Sequence, residues 1–232
     1  MRIERPSTAR GQVRAGWLDS RHTFSFGQYY DAAWMGFGVL RVVNEDRVAP
    51  GGGFAPHRHA NMEILSYVLD GQLAHRDSSG GGGVIGPGEL QWMSAGHGIE
   101  HSEYNASADT PVHFLQIWIQ PSRLNHDPAY AHRAATPLSA QWTRLASPDG
   151  ADGSLAIRQD VRLLAARLAP GERVALGLQA SRRYWLQIAR GSVRLGAAVL
   201  QQGDAWGWQD EAAELSLEGQ ETAEILLFDL PA

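Results

Sequence analysis

Short apolar or alternating runs recur between glycine-containing breaks in the first 120 residues. Most are about as long as a β-strand, and they are rich in tyrosine, valine, isoleucine and tryptophan, which suit pleated, half-buried surfaces better than helices. The pattern therefore predicts an all-β chain. The runs cover residues 35–43, 62–69, 72–76, 90–93 and 112–119.

The pattern changes after residue 120 and returns later in the chain. Residues 121–153 are rich in proline, histidine, arginine and alanine, which is typical of a connecting segment. Strand-like runs then reappear at residues 154–169, 184–195, 197–208 and 223–230. We expect a first domain over residues 1–130, a linker over residues 131–153 and a second domain over residues 154–232.

Three segments of the first domain resemble segments of the second. Residues 67–76 (YVLDGQLAHR) and 185–194 (WLQIARGSVR) share a strand, glycine, strand pattern. Residues 86–92 resemble 202–208, and residues 113–119 resemble 224–230. The repeats predict two copies of one β-barrel.

Composition narrows the chemistry. The chain has no cysteine, so disulfides, thiolate metal sites and cysteine nucleophiles are excluded, and any metal must bind nitrogen and oxygen. Acidic residues outnumber basic ones by 25 to 20, which does not favour direct binding of nucleic acid. The sequence contains no apolar run of the length of a signal peptide or membrane span, and we expect a cytoplasmic protein without a membrane partner.

Two pairs of residues are candidate metal ligands. His57 and His59 are two residues apart, and so are His101 and Glu103, so in a strand each pair points to one face. An isolated His-x-His pair is more often a solvated loop feature, but the second pair favours a metal site. Three imidazoles and one carboxylate suit Fe(II), Cu, Ni, Co, Mn or Zn, and of these we expect one Fe(II) ion.

The remaining candidates have competing interpretations. Glu63 is either a residue behind the metal that holds an imidazole by a hydrogen bond or a surface carboxylate on a strand. His97 suits a turn and His113 a satisfied barrel histidine. His75 lies on a strand that we expect to face solvent on alternate residues. None of these three histidines is predicted to be a ligand.

The motifs around these residues resemble those of a known family. Gly51-x5-His57-x-His59-x3-Glu63 resembles the first cupin motif, and residues 86–96 (GPGELQWMSAG) resemble the second. Within the cupins the sequence is similar to the pirins, and especially to bacterial pirin-like quercetin 2,3-dioxygenases. The segments that carry this resemblance are residues 16–26 (GWLDSRHTFSF), 62–71 (MEILSYVLDG) and 98–105 (GIEHSEYN).

The resemblance implies a bicupin fold, that is, two cupin (double-stranded β-helix) barrels. It implies that the first barrel holds one divalent metal through His57, His59, His101 and Glu103, and that the second barrel is degenerate. The absence of histidine after His132 agrees with this. Ile99 stands where cupins usually have the histidine of the second motif, which weakens the case for Glu63 as a ligand.

The resemblance also implies a function. We expect a metal-dependent dioxygenase that cleaves a small aromatic substrate, a flavonol such as quercetin, with O2. Glu103, or Glu63 beside it, is the candidate base that takes the hydroxyl proton of the substrate. The alternative is a non-enzymatic metal- or redox-sensing regulator that binds a protein partner.

Overall fold

The computed structural model of the chain describes all 232 residues and confirms the all-β class. Helical structure is confined to two 3-10 turns, Ser7–Ala9 and Ala151–Gly153. The strands are β1 (Arg2–Arg5), β2 (Gly11–Ala15), β3 (Leu18–His22), β4 (Leu40–Val48), β5 (Gly53–His59), β6 (Glu63–Asp70), β7 (Leu73–Asp77), β8 (Gly82–Ile85), β9 (Leu90–Ser94), β10 (Ile99–Asn105), β11 (Val112–Ile119), β12 (Ala129–Arg133), β13 (Thr143–Ser147), β14 (Leu155–Ala156), β15 (Arg162–Leu168), β16 (Arg173–Leu178), β17 (Arg182–Arg190), β18 (Ser192–Leu195), β19 (Ala198–Gln201), β20 (Ala205–Trp208), β21 (Ala213–Gly219) and β22 (Ala223–Pro231).

The first compact unit, here called the first barrel, contains residues 11–136 and 157–159. Its larger sheet has seven strands in the order β12-β9-β6-β11-β4-β3-β2, and its smaller sheet has four in the order β5-β10-β7-β8. Alternate side chains of these strands point between the two sheets, where they form an apolar core at one end. That core consists of Val48, Val68, Leu73, Ile85, Val112 and Phe114.

The second unit, here called the second barrel, contains residues 1–10, 137–156 and 160–232. Its sheets have the orders β1-β20-β17-β22-β15-β13-β14 and β16-β21-β18-β19. Apolar side chains fill its interior, including Tyr184, Leu186, Trp206 and Trp208. The interior thus has a packed apolar core.

The topology repeats as the sequence repeats predict. In the first barrel β6 lies between β9 and β11, and in the second β17 lies between β20 and β22. The three pairs of similar segments fall on these strands. In the smaller sheets, β5-β10-β7-β8 likewise has the same arrangement as β16-β21-β18-β19.

The bounds of the two units differ from the predicted domains at the N-terminus. β1 pairs antiparallel with β20, and Arg2 lies opposite Trp208. The guanidinium of Arg2 also lies 4.3 Å from the centre of the Trp206 ring, a favourable cation–π distance. Backbone pairing with β20 therefore places residues 1–10 in the second barrel, with β1 as an edge strand, although the sequence lacks a run that would indicate this.

The predicted linker over residues 131–153 also differs from the structure. Its start belongs to β12, which pairs with β9 in the first barrel, whereas β13 pairs with β14 and β15 in the second. The prolines and charged residues of this region mask two short strands in the sequence, β12 at a sheet edge and β13 between β15 and β14. No helix in the chain has the length and apolar character needed to cross a membrane.

Candidate metal centre

The three candidate histidines lie on two adjacent strands of the smaller sheet. β5 and β10 pair antiparallel, with His57 opposite His101 and His59 opposite Ile99. The pairing shifts by one residue between His101 and Glu103, which is a β-bulge. The predicted i, i+2 geometry on β5 is therefore present, and it brings His57 and His59 together with His101.

The imidazole rings of these residues form a tight cluster. The ring centres of His57 and His101 are 4.5 Å apart, those of His57 and His59 are 4.7 Å apart, and those of His59 and His101 are 4.8 Å apart. One nitrogen from each ring lies within 4.8 Å of the other two. Three nitrogen atoms thus converge on a volume that suits one ion.

The surroundings keep two of the imidazoles, those of His59 and His101, neutral. Burial, together with the neighbouring His57, lowers the pKa of His59 to about 4. Burial and the adjacent histidines His57, His59 and His75 lower the pKa of His101 to about 2, although Asp77 opposes this shift. A neutral imidazole keeps the lone pair that a metal requires, so both side chains are ready to bind one near pH 7.

Hydrogen bonds orient two of the rings. The Nδ1 of His57 lies 2.8 Å from the carbonyl oxygen of Ala55 and therefore carries the proton, which leaves Nε2 as the acceptor. That Nε2 lies 3.1 Å from Nε2 of His101. The Nε2 of His59 is buried and has no hydrogen-bond partner within the protein. Two imidazole nitrogens close together and a buried unpaired third fit a bound transition metal.

His75 is buried beside this cluster. It stacks on Tyr130, with ring centres 4.8 Å apart and planes within 8°. Its Nε2 lies 3.0 Å from Oδ2 of Asp77, and its Nδ1 lies 3.4 Å from Nδ1 of His101. The predicted alternation of β7 is present, since Ala74 and Arg76 are more exposed than Leu73, His75 and Asp77, and His75 lies on the buried face.

Glu103 belongs to an overlapping group rather than to the three-histidine cluster. Its carboxylate and the rings of His75 and His101 offer ligand atoms within 4.8 Å of one another. The side chain is buried, and each of its oxygens accepts hydrogen bonds. Ser66 and Gln91 donate to Oε1 at 2.8 and 2.9 Å, and Gln116 donates to Oε2 at 2.6 Å.

Glu63 does not hold an imidazole, so that interpretation of the sequence is wrong. Its carboxylate accepts hydrogen bonds from Trp92 Nε1 at 2.7 Å, Ser94 Oγ at 2.6 Å and the backbone N–H of Arg158 at 3.1 Å. The surface interpretation is wrong as well, since Glu63 is only 1% exposed. Glu63 and Ser66 are three residues apart on β6, so they point to opposite faces of the sheet, and only Ser66 faces Glu103.

A cavity of about 420 Å³ opens onto the three histidines and Glu103. Its volume lies within the range of about 300–1,000 Å³ that is typical of small-molecule sites. Apolar side chains form much of its surface, including Leu18, Phe26, Phe54 and Trp118. Polar residues of β3 and β4 also line it: Ser20, His22, Asn44 and Asp46.

Asp46 has an unusual environment within this cavity. It is fully buried, and its carboxyl group accepts a hydrogen bond from Ser20 Oγ. Burial raises the pKa of Asp46 to about 7, with smaller contributions from the charges of Glu103 and Glu45, although the bond from Ser20 opposes the shift. This carboxyl group therefore changes its protonation state near neutral pH.

The family is evident from comparison with known proteins. A family model described as pirin matches residues 4–119, and one described as the quercetinase C-terminal cupin domain matches residues 144–230. The chain belongs to the pirin family. Both halves of this pirin are therefore cupin domains, as the repeated topology indicates.

Relatives match this pirin over nearly its whole length. Quercetin 2,3-dioxygenase from Escherichia coli is 43% identical over 227 residues, which cover 98% of this chain and 97% of the relative. A pirin-like protein from Caulobacter vibrioides is 39% identical, with 97% of each chain covered. The structure of the bacterial pirin YhhW from Escherichia coli in complex with nickel(II) is 42% identical, with a TM-score of 0.94 over 100% of this chain and 99% of that chain.

Three residues of this pirin's site lie outside the sequence prediction. His75 is not among the predicted ligands because the alternation of its strand does not by itself show which face is buried, and Asn44 and Asp46 lie just beyond the apolar run predicted at residues 35–43. A weak signal was present, because Val42, Asn44, Asp46 and Val48 alternate along one strand and share one face. Polar residues on an otherwise buried face are candidates for a ligand site.

Proposed function

We propose that this chain is a metal-dependent dioxygenase of the pirin-like quercetinase type, which cleaves a flavonol with O2. The observation that carries the proposal is the convergence of three imidazoles, those of His57, His59 and His101, on one apolar-walled cavity. These residues and Glu103 would hold the metal. We further propose Fe(II) as the metal in the cell.

The protein itself would bind and orient the substrate. The apolar surface of the cavity suits flat aromatic rings. When bound, the metal supplies Lewis acidity and redox chemistry toward O2. Ring cleavage with incorporation of O2 and release of carbon monoxide is the outcome expected for this type of enzyme.

Glu103 would accept the proton of the flavonol hydroxyl group. Its carboxylate faces the cavity, and the three donors Ser66, Gln91 and Gln116 fix its position. Removal of that proton makes the substrate electron-rich, which favours its oxidation. The buried donors hold the carboxylate in place before the substrate arrives, so little reorganisation is needed.

The similarity to named relatives supports the proposal. The Escherichia coli relative bears the name quercetin 2,3-dioxygenase, and the related bacterial pirin YhhW forms a complex with nickel(II). A nickel complex is consistent with a nitrogen and oxygen ligand set that accepts several divalent metals.

The test is turnover of quercetin by protein that has been emptied of metal and reloaded with Fe(II) or Ni(II). An enzyme should consume quercetin and O2 saturably, release carbon monoxide and lose the activity on chelation. His59→Ala should abolish turnover, whereas His132→Ala, at an exposed position on β12, should retain it. Metal-loaded protein without saturable turnover would reject the proposal and favour a metal- or redox-sensing regulator.

A further inference from the structure

A row of polar side chains crosses the larger sheet of the first barrel beside the metal centre. Asn44 on β4 lies opposite Gln116 on β11, and Gln116 lies opposite Ser66 on β6. Gln116 and Ser66 both donate hydrogen bonds to Glu103. Asn44 continues the same row, but it is not among the groups that hold Glu103.

Asn44 has an unsatisfied hydrogen-bond acceptor. The residue is only 2% exposed and lines the cavity, and no group of the protein donates a hydrogen bond to its Oδ1. A buried amide oxygen without a partner carries a free-energy cost, so such groups are rare in folded proteins. A hydroxyl group of a molecule in the cavity is the type of donor that would remove this cost.

Trp118 has an unsatisfied hydrogen-bond donor. It follows Gln116 by two residues on β11, so both side chains lie on the same face of the sheet. Its ring meets the His59 ring edge-on, with centres 4.8 Å apart. The indole Nε1 is buried and has no acceptor within the protein, although Trp118 also lines the cavity. This N–H therefore suits an oxygen acceptor close to the metal centre.

We propose that Asn44 and Trp118 are specificity-determining residues that recognise a hydroxylated, oxygen-containing aromatic ligand. Asn44 Oδ1 accepts a hydrogen bond from one ligand hydroxyl, and Trp118 Nε1 donates one to a ligand oxygen nearer His59. This inference rests on the proposed function and deepens it, since it states which polar features of a flavonol the cavity selects. The apolar residues Leu18, Phe26 and Phe54 contact the rings without distinguishing them.

The contact to Asn44 predicts which ligands the cavity binds weakly. A ligand that lacks the hydroxyl opposite Asn44 leaves the amide oxygen buried and unpaired, which is more costly than losing an exposed hydrogen bond. We therefore expect the loss of that single hydroxyl to weaken binding about 10-fold or more. Loss of other hydroxyls should have a smaller effect.

The experiment measures anaerobic binding of quercetin, and of analogues that each lack one hydroxyl, to the Ni(II)-loaded protein by titration calorimetry. Wild type should discriminate strongly against one analogue. Asn44→Leu, which is similar in size but has no acceptor, should bind that analogue and quercetin with equal affinity. Gln72→Leu makes the same chemical change at an exposed position outside the cavity and should keep the wild-type discrimination.

Trp118→Phe tests the second contact, because phenylalanine keeps an aromatic edge beside His59 but has no N–H. This variant should bind all analogues more weakly by a similar factor while retaining the discrimination due to Asn44. Metal content, measured by elemental analysis, should be unchanged in both variants. If Asn44→Leu fails to fold, Asn44→Ala and the wild-type analogue series supply the same comparison.

Each result decides between the two proposals. Uniform affinity of wild type for all analogues, undiminished discrimination in a folded Asn44 variant, or full affinity in Trp118→Phe would overturn the recognition roles while leaving the proposed function intact. If wild type binds no flavonol at all, the proposed function fails and the inference fails with it.

Discussion

The Nδ1 of His75 lies 3.4 Å from the Nδ1 of His101, and the two buried rings are joined through this contact. The other nitrogen of His75, Nε2, lies 3.0 Å from Asp77 Oδ2. A carboxylate accepts only, so His75 donates from Nε2 and accepts at Nδ1. His101 must then carry its proton on Nδ1, which leaves Nε2 free to bind a metal beside His57.

Asp77 is itself fixed by several donors. Although burial alone would raise its pKa, hydrogen bonds from Ser79 and His75 and from the backbone N–H groups of Ser79 and Gly81 hold the pKa of Asp77 below its usual value. The carboxylate therefore stays ionised at neutral pH. A fixed charged acceptor sets the orientation of His75 and, through it, that of His101.

We expect His75→Phe to weaken metal binding about 10- to 100-fold, because loss of a residue that orients a metal-binding histidine typically has such an effect. Phenylalanine preserves the stacking on Tyr130 but removes the acceptor for His101. The measurement is Ni(II) affinity by competition with a chelating dye. His132→Phe makes the same change at an exposed site and should bind like wild type; equal affinities in all three proteins would contradict the tautomer argument.

Removal of a ligand should empty the site. We expect His57→Ala, His59→Ala and His101→Ala each to reduce metal content from one ion per chain to a small fraction of that value, whereas His132→Ala should retain one ion. Elemental analysis after dialysis measures the content. Retention of the ion by all four variants would refute the ligand assignment, and two ions in wild type would contradict the degenerate second barrel, which has no histidine after His132.

Strand periodicity made much of the centre predictable. His57 and His59 are two residues apart on one strand, so their shared face follows from the sequence alone, and the cupin motifs placed His101 beside them. Glu63 was misassigned for a geometric reason. Asn61 adopts a left-handed conformation, with φ of 54°, in the turn between β5 and β6, so the face on which a residue lies cannot be counted from His59 through to Glu63.

The roles of His75 and Asn44 depend on tertiary contacts that periodicity does not reveal. Whether His75 faces solvent or a neighbouring ring depends on what packs against its face of β7. The residue that stacks on it, Tyr130, is 55 residues away in sequence. The position of β1 was equally hidden, since pairing of Arg2–Arg5 with β20 joins opposite ends of the chain.

The raised pKa of Asp46 predicts a pH dependence of stability in the metal-free protein. Between the ordinary value of 3.8 and about 7, the folded state binds a proton that the unfolded state releases, so the free energy of unfolding falls as pH rises through this window. Asp46→Asn should remove this dependence. In wild type it should lower the free energy of unfolding by about 2–3 kcal/mol between pH 5 and pH 8.

Urea denaturation of wild type and Asp46→Asn at pH 5, 6, 7 and 8 measures the effect. As pH rises, the free energy of unfolding of Asp46→Asn should increase relative to that of wild type. Asp109→Asn, at an exposed position, serves as the matched control and should follow wild type. A constant difference between wild type and Asp46→Asn across the series would mean that the Asp46 carboxyl has no raised pKa in the folded state.

Glu103 and Glu63 are both buried carboxylates, yet their neutral isosteres should behave differently. Glu103→Gln removes a charged oxygen from the metal centre and places an amide N–H₂ against the donors of Gln91 and Gln116, so we expect metal affinity and quercetin turnover to fall together. Glu63→Gln leaves the centre untouched. It disturbs the acceptor that serves Trp92, Ser94 and Arg158, and should instead cost about 1–3 kcal/mol of stability.

Three measurements on both variants separate these roles: metal stoichiometry, quercetin consumption in air and urea denaturation. We expect Glu63→Gln to hold one ion and to turn over quercetin at the wild-type rate, because its side chain lies on the face of β6 opposite to that of Ser66. Only its midpoint of urea denaturation should be lower. The converse result, with Glu63→Gln empty and Glu103→Gln full, would make Glu63 the fourth ligand. That outcome would require β6 to turn its other face toward the histidines when the metal binds.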